Sequence, residues 1–253
     1  MNDEALIAAL TPAMLQAGEL IMDVHASQIA SRLKEDGSPV SEADEAAEAI
    51  LLPAIKEAAT DIAIISEENA ASHHLAAADC FFLVDPLDGT KEFLKQDGTG
   101  SFTVNIGLIR DGKPSLGLIY APAFNALYTG IVGKGAWKTD ASAITTSITM
   151  RTPPETGAVA VASASHRDDE TNRWLAEHEI HQITSIGSSL KFCLLAEGKA
   201  DFYPRFGPTM EWDTAAGDAI LRAAGGMTKL PDGTPFTYGK KDYRNGAFIC
   251  SLA

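Results

Sequence analysis

Residues 81–90 read Phe-Phe-Leu-Val-Asp-Pro-Leu-Asp-Gly-Thr, a short apolar run that passes directly into two carboxylates and a Gly-Thr turn. The run predicts a buried strand with Asp85 and Asp88 at its end. Hard divalent cations such as Mg²⁺ prefer oxygen ligands, usually carboxylates together with water and phosphate oxygens. Pro86 restricts the backbone, and Gly89 allows the main chain to approach an anion closely. The stretch therefore predicts either a metal and phosphate site or a plain turn that closes the strand.

The composition is that of an acidic chain with enough apolar residues for a sizeable core. Its 253 residues are 45% hydrophobic, and 34 Asp and Glu against 20 Lys and Arg give a formal net charge of −14. Such a charge argues against nonspecific binding to nucleic acids or anionic membranes. Three scattered cysteines without a C-x-x-C motif favour reduced thiols. No basic leader or apolar run of membrane-spanning length is evident, so we expect a cytoplasmic protein without a transmembrane segment.

Strand and helix signals divide the chain into two halves. Residues 1–140 carry two predicted helices followed by strands, an α+β pattern, whereas strands and helices alternate in residues 141–253, an α/β pattern. Thr11 and Pro12 predict the N-cap and first residue of the first long helix. Residues 145–156 contain two prolines and predict a linker between the halves.

Two further acidic groups stand at the ends of apolar segments. Glu67 and Glu68 follow a predicted strand at 62–65, and Asp213 precedes a predicted helix whose first residues are small enough for close packing. Each group has a structural alternative, because Asp213 can cap its helix and the Glu pair can end a strand in solvent. Carboxylates gathered at one site repel one another unless a cation neutralises them. Together with residues 85–88, these groups predict a metal cluster.

Three motifs resemble the signatures of the inositol monophosphatase family, whose members are Mg²⁺-dependent, Li⁺-sensitive phosphatases. The motifs are Ser66-Glu67-Glu68, Asp85-Pro86-Leu87-Asp88-Gly89-Thr90 with Lys91-Glu92-Phe93, and Trp212-Asp213-Thr214-Ala215-Ala216-Gly217. The resemblance implies a layered αβαβα sandwich of the sugar-phosphatase type, which combines α+β and α/β halves and holds the active site between them. It also implies two or three Mg²⁺ ions as cofactor.

The resemblance implies roles for individual residues. The implied metal ligands are Glu67, Asp85, the backbone carbonyl of Leu87, Asp88 and Asp213. The segment Ser41-Glu42-Ala43-Asp44 is similar to one whose Asp acts with the loop Thr to activate water. Catalytic roles are therefore implied for Asp44, Glu67 and Thr90. The implied contacts to the reacting phosphate are Glu67, Leu87, Asp88, Gly89, Thr90 and Asp213.

The second half of the chain indicates which phosphate ester is hydrolysed. Residues 91–93, 163–168, 187–193 and 200–212 resemble the 3′(2′),5′-bisphosphate nucleotidase branch of the family more than its inositol branch. The implied reaction removes the 3′-phosphate of adenosine 3′,5′-bisphosphate, with 3′-phosphoadenosine 5′-phosphosulfate as a second substrate. The residues implied to contact the nucleotide and its second phosphate are His166, Ser188, Lys191 and Arg205. Arg can hold a phosphate by two parallel hydrogen bonds, and Lys supplies a point charge.

Two other functions stay open at this point. The first is an inositol monophosphate or fructose 1,6-bisphosphate phosphatase, which would be favoured if residues 165–205 bind a sugar rather than adenosine. The second is a regulatory protein of the same fold that only binds a partner, although all five predicted ligand positions carry competent residues. The oligomeric state is open between monomer and homodimer. The resemblance implies a cytoplasmic location, with the inner face of the plasma membrane as an alternative.

Overall fold

The computed structural model describes residues 2–27, 32–33, 39–40, 42–95, 100–163 and 167–253. Its helices are α1 (Asp3–Ser27), α2 (Glu42–Ala58), α3 (Thr90–Lys95), α4 (Asp169–Glu177), α5 (Leu190–Ala196) and α6 (Ala215–Ala223), and 3₁₀ turns cover Ala70–His74, Pro122–Phe124 and Lys241–Tyr243. Its strands are β1 (Arg32–Leu33), β2 (Pro39–Val40), β3 (Ala63–Ser66), β4 (Cys80–Asp88), β5 (Thr103–Arg110), β6 (Lys113–Ala121), β7 (Ala126–Ile131), β8 (Gly135–Thr139), β9 (Thr145–Ile148), β10 (Val159–Ser163), β11 (Gln182–Ile186), β12 (Tyr203–Arg205), β13 (Thr209–Met210), β14 (Gly226–Lys229), β15 (Arg244–Asn245) and β16 (Phe248–Leu252).

A seven-stranded mixed sheet forms the larger layer of strands. Its order is β3-β4-β5-β6-β7-β8-β9, so strands that are neighbours in the chain are neighbours in the sheet. The pair β3 and β4 is parallel, and the pairs from β4 to β9 are antiparallel. Parallel strands need a longer connection, which here contains the turn Ala70–His74. Since β3 and β4 end at the same edge of the sheet, Glu67 comes to lie beside the residues that follow Val84.

Helix α1 begins at Asp3, nine residues before the start that Pro12 predicts, so this part of the sequence-based prediction is wrong. The side chain of Asn2 accepts a hydrogen bond from the Ala5 N–H (2.8 Å) and so caps the start of the helix. Pro12 lies inside the helix. Because proline has no backbone N–H, one helical hydrogen bond is missing in this turn. The Thr11 hydroxyl donates a hydrogen bond to the Ile7 carbonyl at 2.8 Å in the same turn.

Residues Asp3–Ala26 of α1 are long and apolar enough, with a mean hydropathy of 1.5, to meet the criteria for a membrane span. The sequence-based expectation that no such run exists is therefore wrong. The helix nevertheless packs in the protein core, because Leu10, Met14 and Ile21 are buried against α2 and the large sheet. One buried side of a helix that lies on a sheet is typical of a core helix. We interpret α1 in this way, and the membrane alternative gains no support from the described residues.

The layers alternate between helices and strands. Helices α1 and α2 cover one side of the large sheet, and α5 and α6 cover the other. Behind α5 and α6, strands β10 and β11 pair in parallel, β12, β16 and β14 form an antiparallel group, and a bridge from Ala160 to Phe202 joins the two. Helix α4 packs on the outer side of these strands through Leu175. The predicted αβαβα sandwich is confirmed.

Three glycines form a row across the large sheet and allow α6 to approach its backbone. Gly107 pairs with Gly117, and Gly117 pairs with Gly130, on β5, β6 and β7. A Cβ atom on Gly117 would lie 2.2 Å from the backbone oxygen of Ala216. The predicted close packing of the small residues after Asp213 is therefore confirmed, and it fixes the start of α6 against the sheet.

The predicted division into residues 1–140 and 141–253 stays a prediction. Strand β9 pairs with β8, so the large sheet continues to Ile148. The prediction of a linker over residues 145–156 is wrong for its first residues, which form strand β9. Thr145 and Thr146 lie on an exposed edge strand, and such an edge does not need the apolar residues that mark a buried strand.

Candidate active site

Three carboxylates from separate segments meet at the junction between the sheet and α6. Carboxylate oxygens of Glu67, Asp85 and Asp213 all lie within 4.8 Å of one another. Glu67 follows β3, Asp85 lies in β4, and Asp213 directly precedes the turn into α6. The parallel pairing of β3 and β4 brings Glu67 and Asp85 together. The close approach of α6 to the glycine row brings Asp213 to the same place. These are three of the five predicted metal ligands.

The surroundings of this cluster disfavour ionised carboxylates. Burial raises the pKa of Asp85 well above its usual range, and the negative charges of Glu67 and the neighbouring carboxylates raise it further. Burial likewise raises the pKa of Asp213, with added repulsion from Asp88 and Glu67. A divalent cation would remove this repulsion, and carboxylate oxygens are the donors that Mg²⁺ prefers. The donor set therefore fits a hard cation.

Asp88 lies beside this trio but has different partners. Asp85 pairs with Asn105 and Asp88 pairs with Thr103, so β4 holds one more residue than β5 between these two pairs. Such a bulge redirects the side chains that follow it. The Asp88 carboxylate accepts a hydrogen bond from the Ser189 N–H at the start of α5. Burial raises the Asp88 pKa to about 6, and the nearby Lys191 ammonium opposes that rise.

The remaining loop residues hold the turn between β4 and α3. The Leu87 carbonyl, a predicted metal ligand, accepts a hydrogen bond from the Thr90 hydroxyl at 3.2 Å. Gly89 has a φ of +93°, and a Cβ there would lie 2.7 Å from the Ser101 carbonyl oxygen. Glycine is therefore required at this turn. Asp44, in the first turn of α2, is 3% exposed, and its charge contributes to the raised pKa of Asp85.

A cavity opens beside Asp88 between the two layers of strands. Its lining comprises Asp88, Gly89, Glu92, Ser163, Gly187, Ser188, Lys191, Phe192, Tyr203, Arg205, Thr209, Asp213 and Thr214. Six of the predicted substrate contacts belong to this lining, namely Asp88, Gly89, Ser188, Lys191, Arg205 and Asp213. Glu67, Leu87 and Thr90 lie outside it, and His166 lies outside the described residues. The structure thus brings most of the predicted residues together, and their contact with substrate stays a prediction.

Two basic side chains lie in this cavity. The Lys191 ammonium donates to the Ser188 carbonyl at 2.5 Å, and burial lowers its pKa to about 8 although the Asp88 carboxylate opposes that shift. The Arg205 guanidinium donates to the carbonyls of Gly207 and Pro208 at 3.1 and 3.2 Å. Carbonyl acceptors hold both cations in place without neutralising them. The Asp88 carboxylate partly balances the charge of Lys191, and the two cations together can attract an anion in the cavity.

Sequence reasoning missed several residues that build the site. Glu92 and Tyr203 line the cavity, and Ser189 directly follows the lining residue Ser188. The Ser189 hydroxyl is hydrogen-bonded to Asn105 at 2.7 Å and to Thr103 at 2.8 Å, both on β5. Polar residues inside an otherwise apolar strand were the available signal, because buried polar groups need partners.

Comparison with known proteins decides the family. A profile of the inositol monophosphatase family matches residues 2–251. The chain belongs to this family. The predicted family resemblance is confirmed, and it covers both halves of the chain.

Two relatives and one solved structure show which members of the family this chain is similar to. The chain is similar to the 3′(2′),5′-bisphosphate nucleotidase CysQ of Escherichia coli O157:H7, with 44% identity over 93% of this chain and 95% of that protein. It is 48% identical to the Salmonella typhimurium protein of the same name over 83% and 84% of the two chains. The crystal structure of CysQ from Bacteroides thetaiotaomicron superposes with a TM-score of 0.83 at 36% identity, covering 99% of this chain and 97% of that one.

Proposed function

We propose that this protein hydrolyses the 3′-phosphate of adenosine 3′,5′-bisphosphate to give AMP and inorganic phosphate. 3′-Phosphoadenosine 5′-phosphosulfate is the proposed second substrate, giving adenosine 5′-phosphosulfate. The observation that carries the proposal is the cavity that joins the carboxylate cluster, through Asp88 and Asp213, to Lys191 and Arg205. A metal-binding end and a cationic end in one cavity suit a substrate with two phosphate groups. The two relatives named as bisphosphate nucleotidases support the same activity.

The proposed cofactor is Mg²⁺, in two or three ions held by Glu67, Asp85, the Leu87 carbonyl, Asp88 and Asp213. When bound, it would supply Lewis-acid polarisation of the reacting phosphate and of the attacking water. We assign to Asp44, acting together with Thr90, the acceptance of the water proton at a carboxylate oxygen. The N–H groups of Gly89 and Thr90 would hold oxygens of the reacting phosphate. Lys191 and Arg205 would hold the phosphate that does not react, and Ser188 and His166 would contact the nucleotide.

The test of this proposal is a phosphate-release screen with and without Mg²⁺. Adenosine 3′,5′-bisphosphate, 3′-AMP, inositol 1-phosphate and fructose 1,6-bisphosphate are compared at equal concentrations. We expect the highest kcat/KM for adenosine 3′,5′-bisphosphate and no turnover once Mg²⁺ is removed with a chelator. A preference for inositol 1-phosphate would assign the chain to the inositol monophosphatases instead. Absence of Mg²⁺-dependent turnover of all four esters would support the binding-only alternative.

Arg205→Ala is expected to affect bisphosphate substrates selectively. Loss of a hydrogen bond to a charged group costs about 1.5–3 kcal/mol, so KM for adenosine 3′,5′-bisphosphate should rise about 10- to 100-fold. KM for 3′-AMP, which lacks the second phosphate, should change little. Steady-state kinetics with both substrates measure the difference. Arg173→Ala, on the exposed side of α4, is the matched control. An equal loss with both substrates would place Arg205 at the reacting phosphate.

The Lys191 ammonium is expected to make substrate binding depend on pH. Burial lowers its pKa to about 8, so the side chain is charged below that pH and loses its charge above it. KM for adenosine 3′,5′-bisphosphate should therefore rise as the pH passes from about 7 to about 9. Lys191→Arg, whose guanidinium stays protonated in this range, should keep KM flat. The same rise in KM with the arginine variant would show that another group titrates.

The location and assembly of the protein remain proposals. We propose a cytoplasmic enzyme that acts on a small nucleotide and binds no nucleic acid polymer, in agreement with its net charge of −14. Sedimentation velocity would distinguish monomer from homodimer.

A further inference from the structure

The connection between β3 and β4 contains the turn Ala70–His74, whose His73 side chain contacts the segment that carries Glu67. The His73 Nε2 atom lies 2.8 Å from the backbone oxygen of Ser66, the residue directly before Glu67. A carbonyl oxygen only accepts hydrogen bonds, so Nε2 carries the proton and donates it. The Ser72 hydroxyl accepts a hydrogen bond from the Ser66 N–H at 3.0 Å. The turn therefore holds both backbone groups of Ser66.

The same imidazole ring contacts the segment that carries Asp213. His73 stacks on the indole of Trp212, with the ring centroids 4.7 Å apart and the planes inclined by 22°. Trp212 is 4% exposed and directly precedes Asp213. One side chain thus touches the residue before each of two carboxylates that come from different layers of the fold.

A second connection holds the turn and the Asp213 segment in this arrangement. The Tyr243 hydroxyl donates to the Leu75 carbonyl at 2.7 Å, and the Tyr243 carbonyl accepts from the Glu211 N–H at 2.7 Å. The Glu211 carboxylate in turn accepts from the Gly239 and Lys240 N–H groups at 2.8 and 2.9 Å. Hydrogen bonds through Tyr243 therefore connect the turn that carries His73 with the segment before Asp213, and the His73 ring has a defined position between them.

We propose that His73 is a positioning residue that sets the separation of Glu67 and Asp213 before the cation binds. The two carboxylates repel each other, and neither is fully exposed to the water that would screen them. A bridge from the Ser66 backbone to the Trp212 side chain opposes that repulsion and prepares the site for a divalent ion. The proposal rests on the proposed function, since it assumes that these carboxylates bind Mg²⁺.

The experiment measures Mg²⁺ binding to the substrate-free protein by titration calorimetry. His73→Ala removes both contacts, His73→Phe keeps a stacking ring without the donor, and His73→Gln keeps a donor without the ring. Residues that orient metal ligands typically contribute about 10- to 100-fold to affinity, so we expect the Mg²⁺ dissociation constant of His73→Ala to rise by that factor. The Phe and Gln variants should give intermediate values. Raising Mg²⁺ should restore the kcat of His73→Ala, with KM for the nucleotide unchanged at saturating Mg²⁺.

His74→Ala is the matched control, because His74 is exposed in the same turn. It should bind Mg²⁺ as the wild type does. Thermal unfolding without Mg²⁺ identifies variants that are folded, and the Phe and Gln variants carry the test if the Ala variant is not. Wild-type Mg²⁺ affinity in the folded His73 variants would overturn the inference and leave the proposed function intact. Failure of the wild type to bind Mg²⁺ would instead overturn the proposed function.

Discussion

Asp85→Asn should abolish activity while making the metal-free protein more stable. Asp85 belongs to the carboxylate cluster, so its replacement by Asn removes a proposed metal ligand. Stabilisation of the transition state by a metal is worth several kcal/mol, which corresponds to a fall in kcat/KM of about 10³-fold or more. The neutral amide is almost the same size as the carboxylate, so the fold should be retained.

The gain in stability follows from the raised pKa of Asp85. Between the ordinary Asp value and this raised pKa, the folded state binds more protons than the unfolded state, so stability falls as the pH rises. At about pH 7.5 the wild type carries this cost, and Asn does not. We expect Asp85→Asn to raise Tm in chelator above that of the wild type.

Thermal unfolding in chelator and in Mg²⁺, from about pH 5 to about pH 8, measures both effects. The wild type should lose stability with rising pH in chelator and regain it in Mg²⁺, whereas Asp85→Asn should respond less to either. Asp61→Asn, at an exposed position before β3, is the matched control and should behave as the wild type. Residual activity near the wild-type level in Asp85→Asn would contradict the metal assignment.

Gly117→Ala should destabilise the protein through the contact between β6 and α6. The new Cβ would lie 2.2 Å from the Ala216 carbonyl oxygen, a backbone atom that cannot move without the helix. Overpacking of a core typically costs about 1–3 kcal/mol, and the close contact with the Ala216 backbone places this substitution at the upper end or beyond. We expect a loss of about 3 kcal/mol, measured by urea unfolding.

The same substitution should weaken Mg²⁺ binding, because Asp213 precedes the helix that must shift. Titration calorimetry at a temperature where the variant is folded measures this effect. Gly246→Ala is the matched control, since the residue is exposed and an added Cβ would meet no described residue within 4 Å beyond its chain neighbours. An unfolding midpoint of Gly117→Ala equal to that of the wild type would show that α6 does not need the glycine row.

Local sequence signals predicted the elements whose boundaries depend on local chemistry. The start of α4 is an example, because Asp168 caps this helix and accepts a hydrogen bond from the Thr171 N–H at 2.8 Å. Pro12 misled the prediction of α1, since a proline that usually marks a helix start is tolerated here in the interior. Strand β9 was missed because an exposed edge strand lacks an apolar pattern.

The candidate metal ligands of this protein could be predicted from the sequence alone. The carboxylates Glu67, Asp85 and Asp213 were recognisable because each follows or precedes an apolar segment within a motif, and these signals are local. How these carboxylates meet depends on the tertiary structure. The parallel pairing of β3 with β4 and the approach of α6 to the paired glycines are contacts between distant segments, which no local pattern specifies. The contact of His73 with both Ser66 and Trp212 exists for the same reason, because it needs the two layers of the fold to be in place.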